Sequence, residues 1–153
     1  MTRLATAALL TVVVVTAGCG PSERDIALDL ERRIVEVVGV EPTTREYIKR
    51  EANAINDVGD TVLLTWVGID LGADPGETVS EMLRNADLVI TRTQTEPSEE
   101  DPRDGSWPAN IGACDPDVDR AGVIGTVGTA ISGELVLLVE AGGPPASSGC
   151  VGL

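Results

Sequence analysis

The chain has 153 residues, a length that suits one domain with a single hydrophobic core. It carries 25 acidic and 11 basic residues and no histidine, and its formal net charge is −14. This charge excludes nucleic acid as a partner, because binding to phosphates depends on Lys and Arg. The aromatic residues are Tyr47, Trp66 and Trp107, which disfavours sites that stack sugars or bases on aromatic rings.

Residues 1–18 have the organisation of a bacterial export signal. Arg3 gives a positive start, and the apolar run 4–15 is shorter than the roughly 20 residues of a membrane-spanning helix. The motif Thr16-Ala17-Gly18-Cys19 resembles the lipobox of bacterial lipoproteins, with threonine where leucine is more common. The resemblance implies cleavage before Cys19 and anchoring by lipid on its thiol, at the extracytoplasmic face of the cell membrane.

The expected organisation is therefore a signal peptide (1–18), a lipidated tether (19–21) and one domain (22–153). Arg3 is the one charged residue of the signal, so the domain is one unit more negative than the whole chain. We expect anionic headgroups to repel the domain, so that it projects away from the bilayer. Such a charge favours solubility, and it also suits a cationic partner or a metal ion.

Cys114 and Cys150 remain as an even pair once Cys19 is assigned to the lipid. Exported proteins meet an oxidising compartment, so we expect the two to form a disulfide that fixes the C-terminus. The competing interpretation, a catalytic thiol, lacks its usual base because the chain has no histidine.

The first helix is predicted over residues 23–38. Ser22 and Asp25 form a capping box, and Gly39 provides a C-terminal stop. Apolar residues recur at helical spacing, at Ile26, Leu30, Ile34 and Val37.

Residues 43–55 fit either a second helix or a strand. The strong strand 61–69 needs a neighbour, which favours the strand interpretation by a narrow margin. A helix is predicted to open at 72–75, with Val79, Met82, Leu83 and Ala86 on its inner face. This α-β-β-α order resembles small ferredoxin-like modules of bacterial envelope lipoproteins.

In the second half, the β-branching of residues 88–93 favours a strand. Residues 94–120, rich in proline and acidic side chains, are predicted to form a long exposed acidic loop. Residues 122–140 read as a β-hairpin that turns at Ser132-Gly133. The predicted fold class is α+β: an antiparallel sheet of about four to five strands against two helices, with one disulfide and a ferredoxin-like arrangement as the alternative.

The sharpest candidate metal site is formed by Asp115, Asp117 and Asp119. Carboxylates at alternate positions begin many calcium loops. The pattern departs from such loops at Arg120, where glycine is needed, and at Thr126, where a bidentate glutamate is needed. A solvated acidic loop is the alternative interpretation.

The residue types present in the chain favour a non-catalytic protein without a cofactor. Serine-type catalysis lacks its histidine, and the single lysine, Lys49, lies in a charged segment with no sign of burial. We expect an envelope lipoprotein that binds a protein or envelope component through the 94–120 loop and the adjoining sheet edge. Trp107 is a candidate partner contact. The alternative is a calcium-binding lipoprotein that uses the three aspartates.

Overall fold

The structure is a computed structural model that describes residues 21–49, 59–94, 109–118, 121–142 and 150. The described residues form two helices and six strands, which confirms the α+β class. In chain order the elements are α1 (Glu23–Val38), β1 (Thr44–Ile48), β2 (Thr61–Val67), α2 (Pro75–Asn85), β3 (Val89–Gln94), β4 (Ala109–Cys114), β5 (Gly122–Thr129) and β6 (Leu135–Gly142).

Helix α1 begins and ends where the sequence predicts. Ser22 Oγ accepts the N–H of Asp25, and the Asp25 carboxylate accepts the N–H of Ser22, so the capping box is present on both sides. Gly39 closes the helix with a φ of 73°, a backbone conformation that favours glycine. The predicted bounds 23–38 are confirmed.

The six strands form one antiparallel sheet in the order β1-β2-β6-β5-β4-β3. The chain makes the hairpin β1–β2, crosses by α2 to the far edge, and returns as the four-stranded meander β3–β6. Helix α1 packs over β2 and β6, whereas α2 packs over β3, β4 and β5. The α-β-β-α start agrees with the expected order, and the elements described after α2 are four strands.

The core lies between the two helices and one face of the sheet. The side chains on this face come from alternate residues of each strand, and the register aligns them in rows. Its buried members on the four central strands are Val62, Leu64, Trp66, Ala109, Ile111, Ala113, Val123, Val127, Leu137, Val139 and Ala141. Aliphatic side chains thus make up nearly all of this face, and Trp66 is its one aromatic member among the residues just listed.

The strand interpretation is confirmed for the part of 43–55 that the structure describes, since β1 spans Thr44–Ile48. The predicted strand at 88–93 is confirmed as β3. The hairpin over 122–140 is confirmed as β5 and β6. Its turn includes Gly133, whose φ of 87° favours glycine.

The prediction of an exposed loop over 94–120 is wrong for residues 109–114. Residues Ala109–Cys114 form β4, an interior strand that pairs with β3 and β5. Ala109, Ile111 and Ala113 are almost completely buried. Their small side chains gave no strong strand pattern, and the missed strand explains why the sheet has six strands and not four to five.

Cys114 ends β4, and its sulfur lies 2.01 Å from that of Cys150, with 36 residues of separation. The predicted disulfide is therefore confirmed. It fixes Cys150 against the sheet beside the carbonyl of Ala113.

Candidate functional site

A groove of about 400 Å³ runs between the outer flank of α1 and the edge strand β1. Its lining residues are Leu28, Glu31, Arg32, Val35, Glu36, Glu41 and Arg45. Seven residues, close to two helical turns, separate the two apolar members, Leu28 and Val35, so they lie on the same flank of α1. This flank stands beside the core-facing stripe of Ala27, Leu30 and Ile34.

Leu28 is 41% exposed and Val35 is half-buried. The two side chains form the floor of the groove.

Ion pairs form the rim of the groove. Arg45 Nε lies 2.5 Å from Glu31 Oε1, and Arg45 Nη2 lies 3.2 Å from Glu41 Oε2. On the helix, Arg32 Nη2 lies 2.6 Å from Asp29 Oδ1. Exposed pairs of this kind contribute little to stability, about 0 to 1 kcal/mol each. Their effect on the site is to surround an apolar floor with polar groups that orient a ligand.

Tyr47 lies on the same edge strand, beside the start of α1 and outside the lining of the groove. Its hydroxyl donates to the Asp60 carboxylate, and the Arg24 guanidinium lies 5.3 Å from the centre of its ring. Desolvation, followed by the hydrogen bond to Asp60 and the charge of that carboxylate, raises the pKa of Tyr47 to about 12. The phenol is therefore neutral at physiological pH and acts as a fixed hydrogen-bond donor.

A second polar cluster joins α1, α2 and the end of β4. Arg33 donates from Nη1 to the Ala86 carbonyl at 3.1 Å and from Nη2 to the Asp115 carboxylate. Its Nε lies 3.1 Å from Asp29 Oδ2. The Asp115 side chain is 5% exposed, and its Oδ1 accepts the N–H of Asp117.

This cluster bears directly on the predicted calcium ligands. The Asp115 carboxylate is engaged by the Arg33 guanidinium, and a cation would have to displace that positive charge. Asp117 is exposed, and Asp119 lies outside the described residues. Over the described ranges, no three Asp, Glu or Cys side chains come together as a metal site. Calcium binding stays a prediction, without support from this geometry.

The other predicted site residues lie outside the part of the chain that the structure describes. They are Cys19 and Trp107, and residues 95–108 of the predicted binding loop also lie outside the described part. The sheet edge that adjoins the predicted binding loop is β3, which carries a bulge between Ile90 and Arg92. The groove lies at the opposite edge.

Sequence reasoning did not find the groove. Its one signal was the apolar pair Leu28 and Val35, seven residues apart and outside the core stripe of the first helix. The contribution of Arg45 and Glu41 depends on how the β1–β2 hairpin packs beside α1, which the local pattern does not encode.

The geometry defines a class of protein: a two-layer α+β domain with a six-stranded antiparallel sheet and two helices on one face. Neither described helix has the length and apolarity needed to cross a bilayer. Comparison with protein-family models, with curated proteins and with solved structures finds no match for this chain. Its function must therefore be argued from the site itself.

Proposed function

We propose that this chain is a lipid-anchored, extracytoplasmic lipoprotein with a non-catalytic binding role in the cell envelope. The groove between α1 and β1 is its binding site for an envelope protein. The observation that carries this proposal is the apolar floor of the exposed Leu28 and the half-buried Val35 within a rim of ion pairs. Protein-binding sites commonly combine an apolar centre with a polar rim.

The position of the groove suits a protein held by lipid on Cys19. Helix α1 begins at Glu23, so at most about 14 Å of extended chain separates it from the lipidated residue. The groove follows α1 away from that end. A partner that is itself bound to the envelope would reach the groove without the domain leaving the membrane.

Lipid anchoring is tested by replacing Cys19. The full chain should partition into a detergent phase from lysed cells, and Cys19→Ala should leave it in the aqueous phase. Gly20→Ala is the matched control, because it changes the residue next to Cys19 and leaves both the lipid acceptor and the disulfide in place. Equal partitioning of the Cys19→Ala variant and the parent chain would refute the anchor.

The binding role is tested by photo-crosslinking in intact cells. A photoreactive residue at position 28 should give a discrete crosslinked species of higher mass, whereas one at exposed position 81 on α2 should not. Crosslinks from both positions alike, or from neither, would contradict a specific role for the groove.

A further inference from the structure

The outer edge of β1 carries backbone groups that no described strand pairs with. The hydrogen-bonding direction follows from one contact: Gly68 N–H donates to the Leu135 carbonyl at 2.8 Å, in line with the β2–β6 register. Antiparallel ladders alternate, so every second residue of β2 faces β6 and the residues between them face β1. Val67 N–H accordingly donates to Thr43 Oγ1, on the β1 side.

The same alternation fixes the direction of the β1 backbone. Thr44, Glu46 and Ile48 are the partners of the β2 residues that face β1, so their N–H and C=O groups point inward. The N–H and C=O groups of Arg45 and Tyr47 therefore point outward. Four of the five residues of β1 are exposed, which leaves this edge open to another strand.

The side chains of the same two residues point towards α1. Arg45 pairs with Glu31, and Tyr47 lies beneath Arg24, so α1 runs alongside β1. A strand added to β1 would place its residues opposite Arg45 and Tyr47 on this helix-facing side. Alternate side chains of a strand are about 7 Å apart. They would lie along the floor formed by Leu28 and Val35.

We propose that the groove binds an extended segment of a partner protein as a seventh strand on β1, with alternate aliphatic side chains on the groove floor and basic residues between them. This inference rests on the proposed function, and it adds the form and the chemistry of the partner. Main-chain hydrogen bonds supply affinity in this mode of recognition, and side-chain pockets supply specificity.

The negative charge of this chain indicates which side chains the added strand should carry. The chain has a net charge of −14, and the exposed Glu46 lies on the face of β1 away from α1, where the residues between the aliphatic ones would stand. A basic segment is attracted by this field and an acidic one is repelled.

A second copy of this chain fits the edge poorly. Pairing two β1 strands about a two-fold axis centred on Glu46 or Arg45 places that residue opposite its own charge. Centring on Tyr47 places Arg45 opposite Lys49. Like charges opposite each other destabilise a strand pair, so we expect the chain to remain monomeric.

The test uses a blocked seven-residue peptide with valine at alternate positions and lysine between them, titrated into the ¹⁵N-labelled full chain. We expect the largest amide shifts at Arg45, Tyr47 and the adjoining flank of α1, with slower amide exchange at the two β1 residues. The same peptide with N-methylated valines should bind at least tenfold more weakly, as should a version with glutamate in place of lysine.

Two variants separate backbone pairing from side-chain contact. Arg45→Pro removes the outward N–H but none of the inward bonds to β2, whereas Arg45→Ala keeps that N–H. Both remove the guanidinium, so a difference between them reports the backbone. We expect Arg45→Ala to bind the peptide within about threefold of the parent chain and Arg45→Pro to lose at least tenfold. Circular dichroism and thermal melting check that both variants fold.

The possible outcomes are distinct. Equal binding of the N-methylated peptide, or amide shifts centred away from β1, would overturn strand addition. If crosslinking from position 28 succeeds in the same study, the groove remains a binding site and only the mode of binding is wrong. Sedimentation of the chain as a dimer through β1 would assign the edge to a second copy and would also overturn the proposal.

Discussion

The two helices meet the sheet in different ways. On the α2 side, Gly125 of β5 has no side chain, and a Cβ placed there would lie 2.8 Å from Val79 Cγ1. Helix α2 thus lies close to the strands, and the neighbouring edge strand β3 carries a bulge. On the α1 side, the links to β1 described above are long charged side chains, and a groove remains between helix and strand.

The two edge strands of this antiparallel sheet therefore differ in how readily each could pair with another strand. A bulge interrupts regular pairing and discourages addition of another strand. β1 has a regular five-residue register and no such interruption. The α2 side is therefore closely packed, whereas on the α1 side the edge strand β1 remains accessible.

The largest expected effect comes from removing the disulfide on the α2 side. In the chain-entropy model, a loop closed across 36 residues stabilises the fold by about 4 kcal/mol. The double variant Cys114→Ala/Cys150→Ala should lower the free energy of unfolding by about that amount in guanidinium titrations. Amide exchange should accelerate in β3 and β4 and stay nearly unchanged in β1. Equal acceleration at both edges would show that the disulfide does not stabilise the α2 side selectively.

Filling the space beneath α2 should have the next largest effect. Gly125→Ala introduces a Cβ that forces Val79 to shift, and overpacking of this kind costs about 1 to 3 kcal/mol. Gly112→Ala is the matched control, since its Cβ would meet Arg92 Cβ at an ordinary 3.4 Å on the other face. Chemical denaturation should show a clear loss for the first variant and less than about 1 kcal/mol for the second. Similar losses would show that the close approach of α2 is not specific to Gly125.

Tyr47 gives a smaller, pH-dependent effect on the α1 side. Its folded pKa of about 12 lies above the ordinary tyrosine value of 10.0, so the folded state binds the proton more tightly than the unfolded state. The resulting stability is fully present below pH 10 and is lost as the pH rises towards 12. The melting temperature should therefore fall more steeply over this window in the parent chain than in Tyr47→Phe.

Tyr47 is the single tyrosine of the chain, so its ionisation can be followed directly by ultraviolet absorbance. The folded protein should titrate near pH 12 and the denatured protein near pH 10. A folded midpoint near 10 would show that the hydrogen bond to Asp60 does not hold the phenol.

The smallest expected effect is that of calcium on the melting temperature. Its predicted ligand Asp115 lies where Arg33 links α1 to the end of β4. Because Arg33 engages the Asp115 carboxylate, we expect millimolar calcium to leave the melting temperature unchanged. A genuine site at a hundredfold excess over its Kd would stabilise the protein by about 2.7 kcal/mol, a rise of several degrees. Such a rise, absent from Asp117→Asn, would restore the calcium hypothesis.

Much of the fold could be predicted from local signals. Helix α1 has a capping box, a periodic core stripe and a glycine stop, so its bounds were predicted to the residue. The disulfide followed from the number of cysteines and the expected compartment. β4 was missed because its sequence, Ala-Asn-Ile-Gly-Ala-Cys, consists mostly of small residues and lies within an acidic, proline-rich segment. It forms a strand because it pairs with β3 and β5.

The candidate site was less accessible to sequence reasoning. The ion pair between Arg45 and Glu31 joins residues of different elements, and so does the bond from Arg33 to Asp115. Neither pairing has a spacing rule such as the one that relates side chains four apart on a helix. The aspartates that matched a calcium spacing therefore met a guanidinium that the spacing could not reveal.

The main-chain groups of β1 point alternately towards β2 and outward, and this has a consequence for how binding could persist as the sequence diverges. Arg45 and Tyr47 contact α1 with their side chains, and their outward main-chain groups are the ones that would pair with an incoming strand. Divergent chains with other residues at these positions would present the same outward hydrogen bonds wherever the strand stays extended. Chains that share the interaction therefore need not share the side chains of β1, because the main-chain hydrogen bonds do not depend on them.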